Sequence, residues 1–136
     1  LKIITSNNVR FIDDTYNSNP VSLKHALGAL SNFKTKGKKI FVMGDMLELG
    51  NRKKFFHCQA GIEAARYCDM FITVGNLSKL AAKKAKSSGF NSKNIFTCES
   101  SRQARDILFN KISPEEDDVV LVKGSRLMKM EEVFKA

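Results

Sequence analysis

Short apolar segments alternate with longer amphipathic segments along the whole chain, and this alternation limits the fold more than any other feature of the sequence. Six segments are rich in Val, Ile and Phe and apolar over most of their length, as strands covered on both faces of a sheet must be. These predicted strands cover residues 2–5, 9–13, 38–44, 70–75, 94–99 and 118–124.

Segments with the period of a helix lie between the predicted strands. Asn19 as N-cap and Pro20 at the first helical position begin one helix, and Leu23, Leu27 and Leu30 form its apolar stripe. Further helices are predicted over residues 53–67, 78–87, 101–111 and, as a short last one, 130–136. The resulting order, β-β-α-β-α-β-α-β-α-β-α, predicts an α/β fold with a mostly parallel sheet of about six strands and helices on both faces. The short link Ser-Asn-Asn after the first strand allows one antiparallel edge strand.

Length and composition are those of one globular domain. A chain of 136 residues is long enough to bury roughly two-thirds of its unfolded surface, and we expect a single domain over residues 1–136. Hydrophobic residues make up 43% and charged residues 27%, which is ordinary for a cytosolic protein. No apolar run is long enough to span a bilayer and no signal peptide begins at Leu1. We therefore expect a cytoplasmic protein without membrane insertion, and the first residue, Leu rather than Met, suggests a processed product or a segment of a longer protein.

The formal charge of +9 raises the question of an anionic partner. The densest lysine runs, at residues 34–39 and 79–86, have no interleaved aromatic residues for stacking on bases. We place the first run in a turn and the second on the exposed face of a helix. A solvated basic surface is therefore favoured over a nucleic-acid site.

The three cysteines, Cys58, Cys68 and Cys98, form neither a C-x-x-C pair nor a zinc-ligand spacing. We expect free thiols. His57 precedes Cys58, but adjacent helical residues point in different directions, so a catalytic thiol is disfavoured.

Polar residues follow each of the five predicted strands that lead into helices or the chain end. In an open parallel sheet these strand ends share one edge, where ligands bind. Asp13, Asp14 and Asp45 have side chains suited to ribose hydroxyls or a magnesium shell, while Lys123 and Arg126 suit phosphate or carboxylate oxygens. We therefore predict a ligand site at this edge.

Ordinary structural roles compete with ligand binding for each residue taken singly. Capping is favoured for Asn19 and stays as open as ligand binding for Asp14. Gly44 and Gly50 are possible turn glycines, and His57 is favoured as a packing or surface residue. The sequence contains neither the phosphate loop G-x-x-x-x-G-K-[ST] nor G-x-G-x-x-G.

Three long motifs resemble signatures of a known family, and together they extend nearly from one end of the chain to the other. They are DDTYNSNPVSLKHAL, VMGDMLELG followed by His57 and Gly61, and VLVKGSRLMKMEEV. They are similar to the C-terminal domain of the Mur ligases, and their combination resembles the members that add D-alanyl-D-alanine to UDP-N-acetylmuramoyl-tripeptide. Other Mur ligases and folylpolyglutamate synthase share the domain fold.

The resemblance implies a Rossmann-like third domain of a three-domain enzyme of peptidoglycan precursor synthesis. In such ligases ATP phosphorylates the terminal carboxylate of the tripeptide, and the amine of D-Ala-D-Ala attacks the acyl phosphate. The resemblance implies that the N-terminal domain holds the UDP-sugar and that the central domain carries the phosphate loop and most ligands of Mg²⁺. Because this chain has no phosphate loop, we expect it to have no ligase activity and no catalytic residue of its own when isolated.

The resemblance also implies roles for individual residues. Asp14 would contact the ATP ribose, and Tyr16, Asn17 and Asn19 would line the nucleotide and phosphate side of the closed cleft. Candidates for the dipeptide or the phosphates are Lys123, Ser125 and Arg126. Supporting roles remain open for Asp13, Asp45 and His57, and no residue is predicted as a metal ligand.

Two other classes of function remain as alternatives. A free-standing module that binds a nucleotide or a phosphorylated metabolite is suggested by the apparent completeness of the fold and the missing phosphate loop. A basic nucleic-acid-binding domain rests only on the net charge. The motifs favour the ligase domain over both.

Overall fold

Six strands form one sheet in the computed structural model, which describes residues 2–16 and 18–135. The strands are β1 (Lys2–Ser6), β2 (Val9–Asp14), β3 (Lys39–Gly44), β4 (Met70–Val74), β5 (Ile95–Cys98) and β6 (Val119–Lys123). Their order across the sheet is β1-β2-β6-β3-β4-β5. All neighbouring pairs are parallel except β1 and β2, which form an antiparallel hairpin. Asn7 and Asn8 make its tight turn with φ angles of 52° and 63°, which Asn tolerates better than most residues.

Four α-helices connect the parallel strands. They are α1 (Pro20–Asn32), α2 (Lys53–Tyr67), α3 (Ser78–Ser87) and α4 (Ser101–Asp106). Helices α2 and α3 have the predicted bounds. On α3, Ala81, Ala82 and Ala85 are buried while the lysines lie toward solvent, which confirms the solvated lysine face. No helix among the described residues is long and apolar enough to cross a membrane.

Alternate residues of the central strands enter two separate cores. On one face, Phe41 and Leu121 pack with the apolar sides of α1, α2 and α3. On the other face, Val42 and Val122 pack with α4 and the C-terminal segment. The prediction of a mostly parallel sheet with one antiparallel edge strand and helices on both faces is therefore confirmed.

The fourth predicted helix differs from the structure beyond residue 106. The chain continues as a π-helical turn, Ile107–Ile112, and Ser113 donates its N–H to the carbonyl of Leu108 at 2.8 Å. This bond spans five residues instead of four, so the helix widens before it ends. The last helix, predicted over residues 130–136, is not formed: the chain makes a 3₁₀ turn at Met130–Val133, and residue 136 lies outside the described residues. A second 3₁₀ turn, Arg126–Met128, precedes it, and Lys129 with φ 52° separates the two.

All three thiols are free, as the sequence predicted. Burial raises the pKa of Cys98 to about 11; a hydrogen bond with the Ser100 backbone opposes this rise, and the Glu99 carboxylate adds a smaller increase. Burial, with a contribution from Asp69, also raises the pKa of the Cys68 thiol. Cys58 is only half-buried.

We expect one fast-reacting thiol per folded chain in a titration with a disulfide reagent at about pH 8, because the thiolate is the reactive form. Cys68 and Cys98 stay protonated there, since both pKa values are raised. Cys58→Ser removes the fast reaction, and denaturant restores reactivity to the two buried thiols. Rapid labelling of folded Cys58→Ser would contradict this assignment.

Helices α2 and α3 pack closely enough to require a glycine. A Cβ atom on Gly61 would overlap the carbonyl oxygen of Ala81, whereas a Cβ on Gly28 in α1 meets nothing within 4 Å. We expect Gly61→Ala to destabilise the fold by about 2 kcal/mol through overpacking. The control, Gly28→Ala, should stabilise it by about 0.5–1 kcal/mol through helix propensity. Urea denaturation of both variants measures the difference, and equal effects would refute the close-packing explanation.

Candidate functional site

The carboxyl ends of β2, β6 and β3 lie side by side in the middle of the sheet. Lys123 is in register with Asp14 on one side and with Met43 on the other. The chain leaves β2 and β3 toward α1 and α2 on one face, and leaves β6 toward the C-terminal segment on the other. This divergence opens a crevice of the kind in which α/β sheets bind ligands. Residues 13–16, 18–19, 44–50 and 123–127 are together called the carboxyl edge below.

A buried ion pair lies at the centre of the carboxyl edge. The side chain of Lys123 is 0% exposed, and its Nζ donates to Oδ2 of Asp14 at 2.7 Å. The Asp14 side chain is 19% exposed. A buried ammonium is stable only when it is paired, so this contact fixes the position of the Asp14 carboxylate, which stays partly exposed. The structure thus covers Lys123, one of the candidate contacts to phosphate or dipeptide, with Asp14.

The segment after β2 is shaped by its own side chains. Oδ1 of Asp13 accepts hydrogen bonds from the N–H of Thr15 at 3.2 Å and from its hydroxyl at 2.8 Å. The ring of Tyr16 is 72% exposed, and the guanidinium of Arg126 lies 5.1 Å from its centroid, within range of a cation–π contact. Asn17 lies outside the described residues.

Asn19 begins α1 with reciprocal capping bonds. Its Oδ1 accepts from the N–H of Ser22 at 2.9 Å, and Oγ of Ser22 accepts from the N–H of Asn19 at 3.1 Å. Pro20 occupies the first helical position, where no N–H is needed. The capping role weighed for Asn19 is thus present in the structure.

Asp45 faces α3 rather than the crevice. Its Oδ1 accepts from the N–H and the hydroxyl of Ser78, each at 2.7 Å, and its Oδ2 accepts from the N–H of Leu77 at 3.4 Å. The carboxylate therefore satisfies donors at the start of a helix, where a negative charge is favoured. It also packs against Gly75, where a Cβ would overlap it.

His57 and Ser125 hold the loop that follows β3. Nε2 of His57 accepts from the N–H of Met46 at 3.0 Å, and Nδ1 lies 2.6 Å from the carbonyl of Lys53 and donates to it. The ring is fully buried, which agrees with the packing role. Oγ of Ser125 accepts from the N–H of Leu47 at 2.9 Å. Two predicted site residues thus fix the shape of the loop.

The glycines of the carboxyl edge serve different needs. Gly50 has a φ of +61°, in the left-handed region that glycine adopts far more readily than a residue with a Cβ. Gly44 is present for close approach, because a Cβ there would overlap Sδ of Met130. Gly124 is similarly crowded by Met130 and by the backbone of Gly44.

The two remaining polar loops, after β4 and after β5, contact Asp45 and the start of α4 instead of the central crevice. Residues 75–78, after β4, supply the partners of Asp45. After β5, Ser100 forms a capping box with Gln103 at the start of α4, and Glu99 pairs with Lys79 at 2.6 Å. Capping of α4 therefore accounts for the polar residue Ser100 in the loop after β5.

Two residues that sequence reasoning passed over line a cleft of about 370 Å³ on the carboxyl edge. Ser18 is 7% exposed, and its hydroxyl has no hydrogen-bond partner among the described residues. Glu48 has a φ of 65°, a conformation rare for a residue with a Cβ. The position of Ser18 inside a dense polar motif was a signal for it, whereas nothing local marked the backbone of Glu48.

The family description "Mur ligase, glutamate ligase domain" matches residues 1–126. The chain belongs to the Mur ligase family. The UDP-N-acetylmuramoyl-tripeptide–D-alanyl-D-alanine ligase of Bacillus subtilis is 33% identical to this Mur ligase chain over 136 residues, which cover 98% of the chain and 29% of the relative. The ligase of the same name from Escherichia coli is 34% identical over 131 residues, or 95% of the chain and 27% of the relative.

Solved structures of Mur ligases agree with these matches. MurF from Acinetobacter baumannii superposes with a TM-score of 0.82 at 32% identity, over 98% of this chain and 29% of that one. MurF from Thermotoga maritima in complex with ADP superposes with a TM-score of 0.74 at 29% identity, over 96% and 28%. The resemblance to the D-alanyl-D-alanine-adding Mur ligases is therefore confirmed. The chain spans less than a third of the length of these relatives.

The contacts of Asp45 predict a structural role that can be separated from ligand binding. We expect Asp45→Ala to destabilise the fold by about 2 kcal/mol, because it leaves donors at the start of α3 without an acceptor. Asp45→Asn keeps one acceptor oxygen and should cost less. Chemical denaturation gives both values, and an Asp45→Ala variant as stable as the parent chain would refute the capping role.

Proposed function

We propose that this chain is the third domain of a three-domain, ATP-dependent ligase that joins D-alanyl-D-alanine to UDP-N-acetylmuramoyl-tripeptide in the cytoplasmic synthesis of peptidoglycan precursors. One observation carries the proposal: the three motifs that resemble Mur ligase signatures follow neighbouring strands of one sheet, and residues of all three line a single cleft. The names and greater lengths of the relatives support the reaction and the larger architecture.

The proposed reaction forms one amide bond at the expense of one phosphoanhydride bond. The γ-phosphoryl group of ATP passes to the terminal carboxylate of the tripeptide, and ADP leaves. The amine of the dipeptide then attacks the acyl phosphate, phosphate leaves, and the amine loses a proton. Both steps need accurate positioning and exclusion of water, which a closing domain supplies.

In this proposal the chain contributes one wall of the ATP site. The carboxylate of Asp14 is held by Lys123 and stays 19% exposed, so it can accept hydrogen bonds from ribose hydroxyls. The exposed ring of Tyr16 supplies an apolar surface beside the nucleotide. Asn17 belongs to the same proposed wall by its place in the motif, and Asn19 positions that wall through its cap on α1.

The described residues do not fit a magnesium ion of their own. No group of three or more His, Cys, Asp or Glu side chains in residues 2–16 and 18–135 is arranged to hold a metal. Asp14 is paired with Lys123, and Asp45 is used by α3. We therefore assign no step of this chain to Mg²⁺ and place its ligands on the central domain of the proposed enzyme.

The test compares this chain with the longer protein that contains it. We expect the longer protein to release ADP and phosphate over many turnovers only when UDP-N-acetylmuramoyl-tripeptide and D-Ala-D-Ala are both present, and the chain alone to release neither. We also expect the chain alone to bind ATP more weakly, by about a hundredfold or more, because the phosphates lack their loop. Equal, tight ATP binding by both proteins would favour a free-standing nucleotide-binding module.

Asp14→Asn tests the assigned ribose contact within the longer protein. We expect the KM for ATP to rise about tenfold while the KM for the dipeptide changes little, since a single charged hydrogen-bond acceptor is lost. Asp117→Asn makes the same chemical change before β6, at the opposite edge of the sheet, and should leave both constants unchanged. An unchanged KM for ATP in folded Asp14→Asn would refute the contact.

A further inference from the structure

The net charge of the chain is distributed unevenly over the domain. Residues 50–90 contain eight Lys or Arg and two Asp or Glu, so they account for six of the nine net positive charges. This part of the chain includes α2 and α3, which pack side by side on one face of the sheet. Residues 99–118, which include α4 on the other face, contain three Lys or Arg and six Asp or Glu. The excess positive charge therefore lies on the side of α2 and α3.

The cations of α3 form a stripe that faces away from the protein. Lys79, Lys83 and Lys86 are spaced by four and three residues, so they lie on one side of the helix, and all three are exposed. The opposite side of α3 is buried and consists mainly of alanines. Lys79 pairs with Glu99 at 2.6 Å, whereas no other lysine of α3 forms a salt bridge with a described residue. Most of the charge on this helix is thus not balanced within the described chain.

The neighbouring helix adds an aromatic ring to the same surface. Phe55 is 47% exposed, and the exposed residues Gln59 and Arg66 follow it on the same side of α2, opposite the buried side. The guanidinium of Arg52 lies 4.6 Å from the centroid of the Phe55 ring, within range of a cation–π contact. Six outward side chains of the two helices are together called the basic face: Arg52, Phe55, Arg66, Lys83, Lys84 and Lys86.

A surface with one sign of charge is unfavourable for a domain on its own, because like charges repel one another in the folded state. Residues 50–90 contain two acidic side chains, Glu63 and Asp69. Glu63 is half-buried, and Asp69 already accepts a hydrogen bond from the N–H of Lys39 at 2.8 Å. Two carboxylates cannot neutralise eight cations, so the excess charge is available to an anionic partner outside the domain.

The shape of the basic face selects among anionic partners. Single-stranded nucleic acids are normally bound in a groove where aromatic rings alternate with cations. Here the cations lie on the convex outer side of a helical layer, and the single exposed ring, Phe55, is near the start of α2 instead of between the lysines. A membrane with anionic lipids offers a broad negative surface that attracts dispersed Lys and Arg, above an interface that accepts an aromatic side chain.

We propose that the basic face docks on the surface of a membrane that contains anionic phospholipids. The lysines of α3 and Arg66 contact the headgroups, and the ring of Phe55 enters the interfacial region. The contact is peripheral, and no helix among the described residues could span the bilayer. None of the six residues belongs to the carboxyl edge, so the proposal does not depend on the proposed function.

Co-sedimentation with vesicles tests the proposal on this chain and on the longer protein, without any ligase reaction. The probes are vesicles of phosphatidylcholine alone and mixed vesicles of phosphatidylcholine and phosphatidylglycerol. We expect both proteins to bind only the mixed vesicles, and binding to weaken by about tenfold or more as the salt concentration rises from about 0.1 M to about 1 M.

Four outcomes of the vesicle experiment would overturn the proposal. They are absence of binding to mixed vesicles, equal binding to both kinds of vesicle, tighter binding to duplex DNA than to mixed vesicles, and binding by the chain but not by the longer protein. The third would assign the face to a nucleic acid. The last would show that another part of the longer protein covers it.

Charge variants locate the contact on α3. The test variant loses three cations of the basic face: Lys83→Gln, Lys84→Gln and Lys86→Gln. The control variant loses three exposed cations elsewhere: Arg102→Gln, Lys111→Gln and Lys135→Gln. Both variants have the same net charge, but we expect the test variant to bind mixed vesicles about a hundredfold more weakly and the control to change by about twofold or less. Equal losses would show that binding follows net charge alone and would overturn the proposal.

A fluorescent probe tests the position of Phe55. The chain contains no tryptophan, so Phe55→Trp introduces a single one. We expect its emission to shift to shorter wavelength on mixed vesicles, and lipids brominated in their acyl chains to quench it, because the ring leaves water for the interface. Ile3→Trp is the control, at a 59% exposed position on β1, and should show neither change. An unchanged emission from Phe55→Trp, or an equal response from Ile3→Trp, would overturn the proposal.

Discussion

The pairing of β6 with both β2 and β3 is the interaction on which the rest of the structure depends. β6 is the last strand in the chain but lies between the second and third strands, and all five of its residues are buried. Without it, β1 and β2 form an isolated hairpin and the remaining strands a separate sheet. The carboxyl edge is therefore complete only when β6 pairs with β2 and β3, and the three polar motifs become neighbours through this one strand.

The ion pair at the end of β6 follows from that central position. Lys123 lies between β2 and β3, so its side chain has no route to bulk water, and its charge must be balanced inside the domain. Asp14, opposite it in the β2–β6 register, provides the balancing carboxylate. Replacing such a pair with apolar residues often leaves stability unchanged or higher, so its presence is better explained by the oriented, partly exposed carboxylate than by folding.

The sequence predicts the strands and helices better than it predicts which contacts the polar side chains make. Strands and helices follow from apolar periodicity and from Asn19 with Pro20, because these signals are local. The place of β6 in the sheet is set by long-range pairing, which no local pattern records. Asp45 illustrates the same limit: its motif suggests a ligand site, but its carboxylate caps α3, an element that begins 33 residues later. The left-handed backbone of Glu48 likewise lies in a loop held by tertiary hydrogen bonds, from Met46 to His57 and from Leu47 to Ser125.

Exposed apolar side chains around the carboxyl edge indicate that this part of the domain packs against another protein surface. Tyr16, Val21 and Leu127 are 72%, 68% and 79% exposed, and they surround the start of α1 and the loop after β6. Other exposed large hydrophobic residues, such as Ile3 and Phe55, lie elsewhere on the described surface. Apolar residues grouped beside a polar crevice are typical of an interaction site. In the proposed enzyme, closure of the central domain over this edge would cover the apolar groups and remove water from the crevice, so a single movement would both stabilise the closed state and protect an acyl phosphate from hydrolysis.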